Sequence, residues 1–260
     1  MGKPLRTEYV QTATETAGIK MYKPLGIWVG STKLPSNHNL LVSDLDFFMK
    51  IAGKEFRGIL GMASLYKHIW DINFDDKTLT IKQQHYFSLL EDGFKSYEIS
   101  STQHGIPFIE VKIAGRYHSF ILDTGDQGFG RLTSDMIDSL IEQEMIESVA
   151  TDTMASISGA AKTRRARVKE IKIGPDSYKG IVMYESSQNA LGLGFLNRHH
   201  VVLDFINKNI YLKKGSGFLN RDCEDKSGLK LLSHQSKIIV AYVDDRGPAW
   251  KAGIRGGYNH

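Results

Sequence analysis

The sequence has few features of a disulfide-stabilised, membrane-spanning or nucleic-acid-binding protein. A single cysteine, Cys223, occurs among 260 residues, which excludes an internal disulfide and any metal cluster built from cysteines. No apolar run approaches the roughly 18 residues of a membrane span. The start of the chain, MGKPLRTEYVQTATET, lacks the apolar core of a signal peptide. The net charge of +4 is small and both signs are mixed along the chain, so we expect no nucleic-acid partner.

What is present predicts a soluble globular protein. Hydrophobic residues make up 41% of the chain and charged residues 24%, which is enough apolar content for one large domain or two ordinary ones. His199 and His200 have no other histidine or carboxylate at ligand spacing, so we expect a structural turn there and neither a metal nor another cofactor.

An internal repeat is the most informative feature of the sequence. Residues 60–82 (LGMASLYKHIWDINFDDKTLTIK) align without a gap with residues 191–213 (LGLGFLNRHHVVLDFINKNIYLK), at an offset of 131 positions (191 − 60). Each copy predicts an apolar pair with glycine, a helical turn, a strand, an Asp/Asn-Lys turn and a second strand. The predicted strands are 69–74 and 78–81 in the first copy, and 201–205 and 209–212 in the second.

The second copy extends further back along the chain than the first. A strand ending in glycine precedes each copy, KPLGIWVG at Gly30 and RVKEIKIG at Gly174. Asp123 lies 51 residues before Gly174 (174 − 123), whereas 29 residues precede Gly30 (30 − 1). We therefore expect the first half to lack a counterpart of the segment around Asp123.

That segment, FILDTGDQGFG (120–130), brings a carboxylate out of an apolar strand into a tight glycine-rich loop. The structural interpretation of Asp123 is an Asx turn at a strand end; the repeat around it favours a catalytic loop instead. A helix is predicted in the following LTSDMIDSLIEQE, with Thr133 or Ser134 as its cap. Its expected apolar face comprises Met136, Ile137, Leu140 and Ile141.

The order of these motifs resembles a retropepsin-like (pepsin-clan) aspartic peptidase. Asp123-Thr124-Gly125, followed by Ala190-Leu191-Gly192, resembles one lobe of that family, and Ile59-Leu60-Gly61 resembles the same element of a preceding lobe. The resemblance implies three catalytic-site residues: Asp123 as one of two proton-sharing carboxylates, Thr124 anchoring the loop through its hydroxyl, and Gly125 allowing close backbone approach. Tyr117 and Phe120 are assigned to strand packing, and SISGAAKT (156–163) to a substrate-covering hairpin.

The tail carries a second resemblance. KIIVAYVDDRGPAWKAGIRGG (237–257) resembles the strand, turn and short helix of a bacterial-type PDZ domain, and a complete domain of that type takes an extended peptide, including a peptide C-terminus, as an added strand. Tyr258 stands where such domains usually carry Asp.

Together these resemblances imply a mainly β protein. We expect an incomplete first acid-protease-like lobe (1–100), a second lobe with the DTG loop (101–215), a linker (216–230) and the N-terminal part of a PDZ domain (231–260). We further expect a chain cut at both ends from a longer protease, and the family implies export to the periplasm or outside the cell.

The implied function is an aspartic endopeptidase that hydrolyses peptide bonds of a polypeptide substrate. A lone Asp123 cannot be acid and base at once, so we expect the isolated chain to be inactive or very feeble. Asp126, where the family usually has a small residue, adds a negative charge beside Asp123. The first half offers acidic residues in no D-[TS]-G context: Asp44, Asp46, Asp71, Asp75 and Asp76. The alternative is a non-catalytic peptide-binding or scaffold protein that keeps the fold.

Overall fold

The computed structural model describes residues 3–11, 16–35, 38–43, 49, 58–82, 89–102, 105–156, 159–223, 226–234, 237–244 and 247–256. The strands of the first half are β1 (Arg6–Gln11), β2 (Thr16–Tyr22), β3 (Ile27–Val29), β4 (Thr32–Leu34), β5 (Leu40–Val42), β6 (Ile69–Asn73), β7 (Thr78–Lys82), β8 (Lys95–Glu98) and β9 (Ser100–Ser101). The later strands are β10 (Pro107–Ile113), β11 (Arg116–Leu122), β12 (Gly130–Leu132), β13 (Ile146–Ser156), β14 (Gly159–Ile173), β15 (Asp176–Glu185), β16 (Ala190–Leu191), β17 (His199–Asp204), β18 (Asn209–Lys214), β19 (Leu229–His234) and β20 (Lys237–Val243). The helices are α1 (Met62–Leu65), α2 (Ser134–Glu142), α3 (Leu193–Leu196) and α4 (Pro248–Lys251).

The fold is mainly β, as predicted. Across the ranges given above, no helix combines the length and the apolar character needed to cross a membrane.

Six strands of the second half close into a ring around the main core. Their order is β14-β15-β12-β16-β11-β10, and the pair Lys112↔Lys172 joins β10 back to β14. Along β10, buried residues alternate with more exposed ones, as a strand with one face toward a core requires. Val111, Phe120, Leu132 and Leu191 are fully buried inside this half. The ring fixes the position of the loop that follows β11.

The predicted repeat is confirmed at the level of backbone conformation. Helices α1 and α3 cover equivalent positions of the two copies, 62–65 and 193–196. The turns that follow contain Lys77 and Lys208, both in the left-handed region with φ of 55° and 56°. Gly30 and Gly174, which precede the copies, have φ of 58° and 54°, a conformation that favours glycine. The two copies therefore share their unusual turns as well as their strands.

The two halves meet in a five-stranded sheet of order β7-β6-β17-β18-β8. Strands β6 and β17 pair antiparallel, and the central pair is Asp71↔Val202. These two residues are equivalent in the repeat, since 202 − 71 is again 131. The outer pairs are Ile69↔Asp204 and Asn73↔His200. In the repeat, Ile69 is equivalent to His200 and Asn73 to Asp204, so the offset converts each outer pair into the other. The register thus places an approximate two-fold axis between the halves.

Two local predictions were wrong. Thr133, one of the two expected caps, accepts a hydrogen bond from the Met136 amide at 3.3 Å. Ile141 was expected on the apolar face but is 45% exposed, whereas Ile137 and Leu140 of the same helix are buried. His199 and His200 begin β17 instead of forming a turn. Pairing with β6 and β18 extends the strand to these positions.

The segment after β18 is bound to the second half. The Arg198 guanidinium lies 2.6 Å from Asp222 Oδ1, and the Val182 amide donates to Asp222 Oδ2 at 2.7 Å. Strands β19 and β20 then form a hairpin, followed by α4. Lys230 Nζ in β19 lies 2.8 Å from Asp152 Oδ1, so a buried carboxylate connects this hairpin to β13, the strand that pairs with β14 of the ring. Tyr258 lies outside the described residues.

Candidate functional site

Asp123 is the first residue after β11, at the point where the strand leaves the core. Strand β11 pairs antiparallel with β10 and parallel with β16. The Asp123 amide donates to the Leu191 carbonyl at 2.9 Å, which continues the parallel pairing by one residue. Leu122 remains buried while the Asp123 side chain is 34% exposed. The strand ladder therefore fixes the backbone of Asp123 and leaves its carboxylate accessible.

The loop after Asp123 is held by its own amides. The Gly125 amide donates to Asp123 Oδ1 at 2.9 Å, and the Gly128 amide donates to Asp126 Oδ1 at 2.9 Å. Both are Asx-type turns, in which a carboxylate bonds an amide two residues later. The predicted structural role of Asp123 and its proposed chemical role are thus compatible, since one carboxylate oxygen binds the turn while the side chain stays 34% exposed.

The Ala190-Leu191-Gly192 element packs directly beneath this loop. The amides of Leu193 and Gly194 donate to the carbonyls of Asp126 and Gly128 at 2.7 and 2.8 Å. A Cβ at Gly192 would lie 2.5 Å from the Gly128 oxygen, closer than atoms can approach. Glycine is required here by close backbone contact and not by its own dihedral angles, which are extended.

Arg131 is the main electrostatic partner of Asp123. From β12 its Nη2 contacts Asp123 Oδ2, and its Nε lies 3.0 Å from Asp126 Oδ2. One guanidinium therefore bridges the two carboxylates of the loop. The second contact is an ion pair without a hydrogen bond, because Arg131 Nε and Asp126 Oδ2 are buried atoms that have no hydrogen-bond partner among the described residues.

Burial raises the pKa of the Asp126 carboxyl above its ordinary value; Arg131 and the Gly128 amide oppose that rise, and the nearby charge of Asp123 adds to it. A buried carboxylate with one unbonded oxygen is costly to keep ionised. Burial therefore favours the protonated form of the Asp126 carboxyl.

The remaining residues predicted for the site differ in their exposure and in their position in the fold. Thr124 is exposed, and its hydroxyl forms no hydrogen bond with any described residue, so the expected anchoring through that hydroxyl is not seen. Tyr117 is 67% exposed and Phe120 is fully buried. Strands β13 and β14 form a long hairpin in which Ser156 pairs with Gly159. Residues 157–158 at its tip lie outside the described ranges.

The described aspartates among these candidates of the first half are bound to other residues. Asp71 accepts a hydrogen bond from Lys82 Nζ and contacts His200 Nε2, both at 2.7 Å. Asp75 accepts from the Ser216 hydroxyl at 2.6 Å, and Asp76 accepts from the Asn73 amide at 2.7 Å. Asp44 and Asp46 lie outside the described residues. None of the three described carboxylates is bound to the Asp123 loop.

The sequence analysis missed Arg131. The signal was a single basic residue in an otherwise apolar and glycine-rich strand, GFGRL, eight positions after Asp123 (131 − 123). Its significance depends on β12 pairing with β16 beside β11, and that strand order is not encoded in the spacing. A search for metal ligands finds no group of three or more His, Cys, Asp or Glu side chains suited to a metal within the described ranges.

The described part of the chain is mainly β and contains a closed six-stranded barrel. Among solved structures, the chain is similar to a retropepsin-like aspartic protease from Rickettsia conorii, with 19% identity, 46% of this chain and 90% of that chain covered, and a TM-score of 0.37. A likeness of this extent assigns no residue and no substrate. No protein-family model matches the sequence, and no curated protein matches it.

Proposed function

We propose that this chain is an aspartic-peptidase-type protein, in which Asp123 supplies one of the two carboxylates needed to hydrolyse a peptide bond of a polypeptide. The observation that carries the proposal is the position of Asp123. It leaves the closed ring beside β16, with one oxygen bound to the Gly125 amide, the other in contact with Arg131 and the side chain 34% exposed, in a chain whose halves are related by an approximate two-fold.

The chemistry needs two such groups. One carboxylate takes a proton from the attacking water while a protonated partner polarises the carbonyl of the scissile bond, and two close carboxyl groups share one proton to do this. The sequence holds one D-[TS]-G triplet, at Asp123, and the charge of Asp123 is balanced by Arg131. The described aspartates of the first half, Asp71, Asp75 and Asp76, are bound to other residues and not to the Asp123 loop. We therefore propose that the chain by itself hydrolyses peptides very slowly or not at all.

A non-catalytic peptide-binding protein is the second candidate. It is favoured by the bridge from Arg131 to Asp123 and Asp126, which stabilises the loop without any second catalytic group. In that case the loop and the β13–β14 hairpin would bind an extended polypeptide without cleaving it. The tail hairpin would, within a complete PDZ domain, take a peptide C-terminus as an added strand.

Prolonged digestion of an unfolded protein substrate, followed by mass spectrometry, separates the two candidates. Under the first, slow cleavage at acidic pH is inhibited by pepstatin and lost in Asp123→Asn. The matched control is Asp135→Asn, which removes an exposed carboxylate from the first turn of α2 and should cleave like wild type. Cleavage that survives Asp123→Asn would refute the catalytic proposal. Peptide binding without cleavage, unchanged in Asp123→Asn, would establish the second candidate.

A further inference from the structure

The two repeat copies differ sharply at the apolar-apolar-glycine element. In the second copy Ala190 and Leu191 form β16 between β11 and β12, and they are 1% and 0% exposed. In the first copy Ile59 and Leu60 are 66% and 40% exposed, and they pair with no strand among the described residues. The same sequence element is thus covered in one half and open in the other.

The hydrogen-bonding groups beside this element show the same difference. In the second copy the amides of Leu193 and Gly194 are bound by loop carbonyls. The equivalent amides of Met62 and Ala63 form no hydrogen bond with any residue that the structure describes. Helix α3 buries Phe195 and Leu196, whereas α1 buries no residue. Within the described ranges, the first copy therefore has both unbound backbone donors and exposed apolar side chains at this element.

A cavity of about 530 Å3 lies next to this open element. Met62, Ala63 and Tyr66 line one side of it, and Phe205 lines another. Mostly apolar walls with a few polar groups suit an apolar or aromatic side chain. In the second copy the aromatic residue of the covering loop is Phe129, which is buried against Phe195 with ring centres 5.8 Å apart.

We propose that residues 59–63 and Tyr66, the acceptor face, bind an extended segment of a separate polypeptide. The segment would be an apolar strand that runs parallel to Ile59–Leu60, ends in an acidic, hydroxyl and glycine turn, and carries an aromatic residue shortly after it. This description is taken from residues 117–132 of this chain, which cover the equivalent element in the second copy.

A second copy of the chain is a poor source of this segment. Its residues 117–132 already cover its own β16, and releasing them would expose Phe120 and Leu132, which are fully buried. The acceptor face also leads directly through α1 into β6, the strand that joins the two halves. A segment bound there would extend an interface that already exists. The proposal concerns binding alone, so the absence of peptide hydrolysis would leave it intact.

The test is isothermal titration calorimetry of the intact chain with a synthetic peptide of residues 117–132, acetylated at its N-terminus and amidated at its C-terminus. We expect a dissociation constant below about 1 mM, with slower hydrogen exchange at the amides of residues 60–63. The Gly61→Ala variant should weaken binding at least about tenfold. Gly61 has open space around its Cβ position, whereas the equivalent Cβ at Gly192 would lie 2.5 Å from a loop oxygen. The substitution therefore leaves the free chain intact and obstructs only the bound segment.

Gly58→Ala is the matched control. Its Cβ also enters open space, and its repeat counterpart is Asn189, a residue that already carries a side chain beside β16. This variant should bind within about twofold of wild type. Failure of the peptide to bind, or binding unaffected by Gly61→Ala, would overturn the proposal. So would a dimer in light scattering that Gly61→Ala dissociates, because the occupant would then be a second copy.

Discussion

Replacing Gly192 with alanine should destabilise the protein far more than replacing Gly61, its counterpart in the repeat. Both glycines precede a four-residue helix and both have dihedral angles that alanine adopts without strain. They differ in their surroundings. A Cβ at Gly192 would lie 2.5 Å from the Gly128 oxygen and 2.7 Å from the Asp126 oxygen, whereas a Cβ at Gly61 meets no atom within 4 Å.

The magnitude follows from what must move. The Gly128 and Asp126 carbonyls have to retreat by about 0.5 Å or more, and such overpacking costs roughly 1–3 kcal/mol. The same two oxygens accept the amides of Gly194 and Leu193, and each weakened hydrogen bond costs up to about 1 kcal/mol. We expect Gly192→Ala to lose about 2–4 kcal/mol of unfolding free energy. Gly61→Ala should change it by less than about 0.5 kcal/mol, because the gain from restricting the unfolded chain offsets a weaker cap.

Thermal unfolding followed by circular dichroism measures both variants against wild type. At roughly 2–4 °C per kcal/mol for a chain of this size, Gly192→Ala should lower Tm by about 5–15 °C and Gly61→Ala by no more than about 2 °C. Equal Tm values for the two variants would refute the reasoning, since the Asp123 loop would then not pack against Gly192.

Three further predictions concern charged and titratable groups. Arg131→Met should lower the free energy of unfolding by about 2 kcal/mol at neutral pH, because the buried Asp126 loses its counter-ion. Burial raises the pKa of Asp126, so its protonation at lower pH removes that cost. The urea midpoints of variant and wild type should therefore converge as the pH falls. Burial lowers the pKa of His199 to about 4, so the unfolded chain binds a proton at a higher pH than the folded chain does. The free energy of unfolding should therefore fall by up to about 3 kcal/mol between roughly pH 6.5 and pH 4. A His199→Gln chain with the same acid sensitivity would contradict this. Asp152→Asn should lower the free energy of unfolding by about 1–2 kcal/mol, because Asp152 binds Arg165 and Lys230 at 2.7 and 2.8 Å. It should also speed proteolysis between β18 and β19. An unchanged cleavage pattern would contradict the contact between Asp152 and the β19–β20 hairpin.

The His199 prediction bears on the proposed function. An aspartic-type site works best at acidic pH, where one of its two carboxyl groups stays protonated. The His199 ring is buried against Phe195 and Tyr178, and its Nε2 lies 2.9 Å from the Tyr178 hydroxyl. Protonating that ring destabilises the fold in the same pH range. Under the proposed function, stability and activity would therefore have opposite pH dependences.

The sequence by itself determined the local structure and the approximate symmetry. Period-two apolar patterns and Gly or Asn-Lys turns are short-range signals, so the strands of both repeat copies were predicted to within one or two residues. The same reasoning placed Asp123 at a strand end and a helix cap at Thr133 or Ser134. The constant offset between the copies also predicted two related halves, because equal sequences fold into equal supersecondary units.

Only the tertiary structure decided which residues meet. The bridge from Arg131 to Asp123 and Asp126 exists because β12 and β11 both pair with β16, and strand order is set by packing across the whole ring. The exposure of Ile59 and Leu60 likewise depends on whether another strand covers them, although their sequence closely matches the buried Ala190 and Leu191. Local sequence fixes backbone conformation through short-range sterics and hydrogen bonds, whereas burial and ion pairing depend on residues that are distant in the chain.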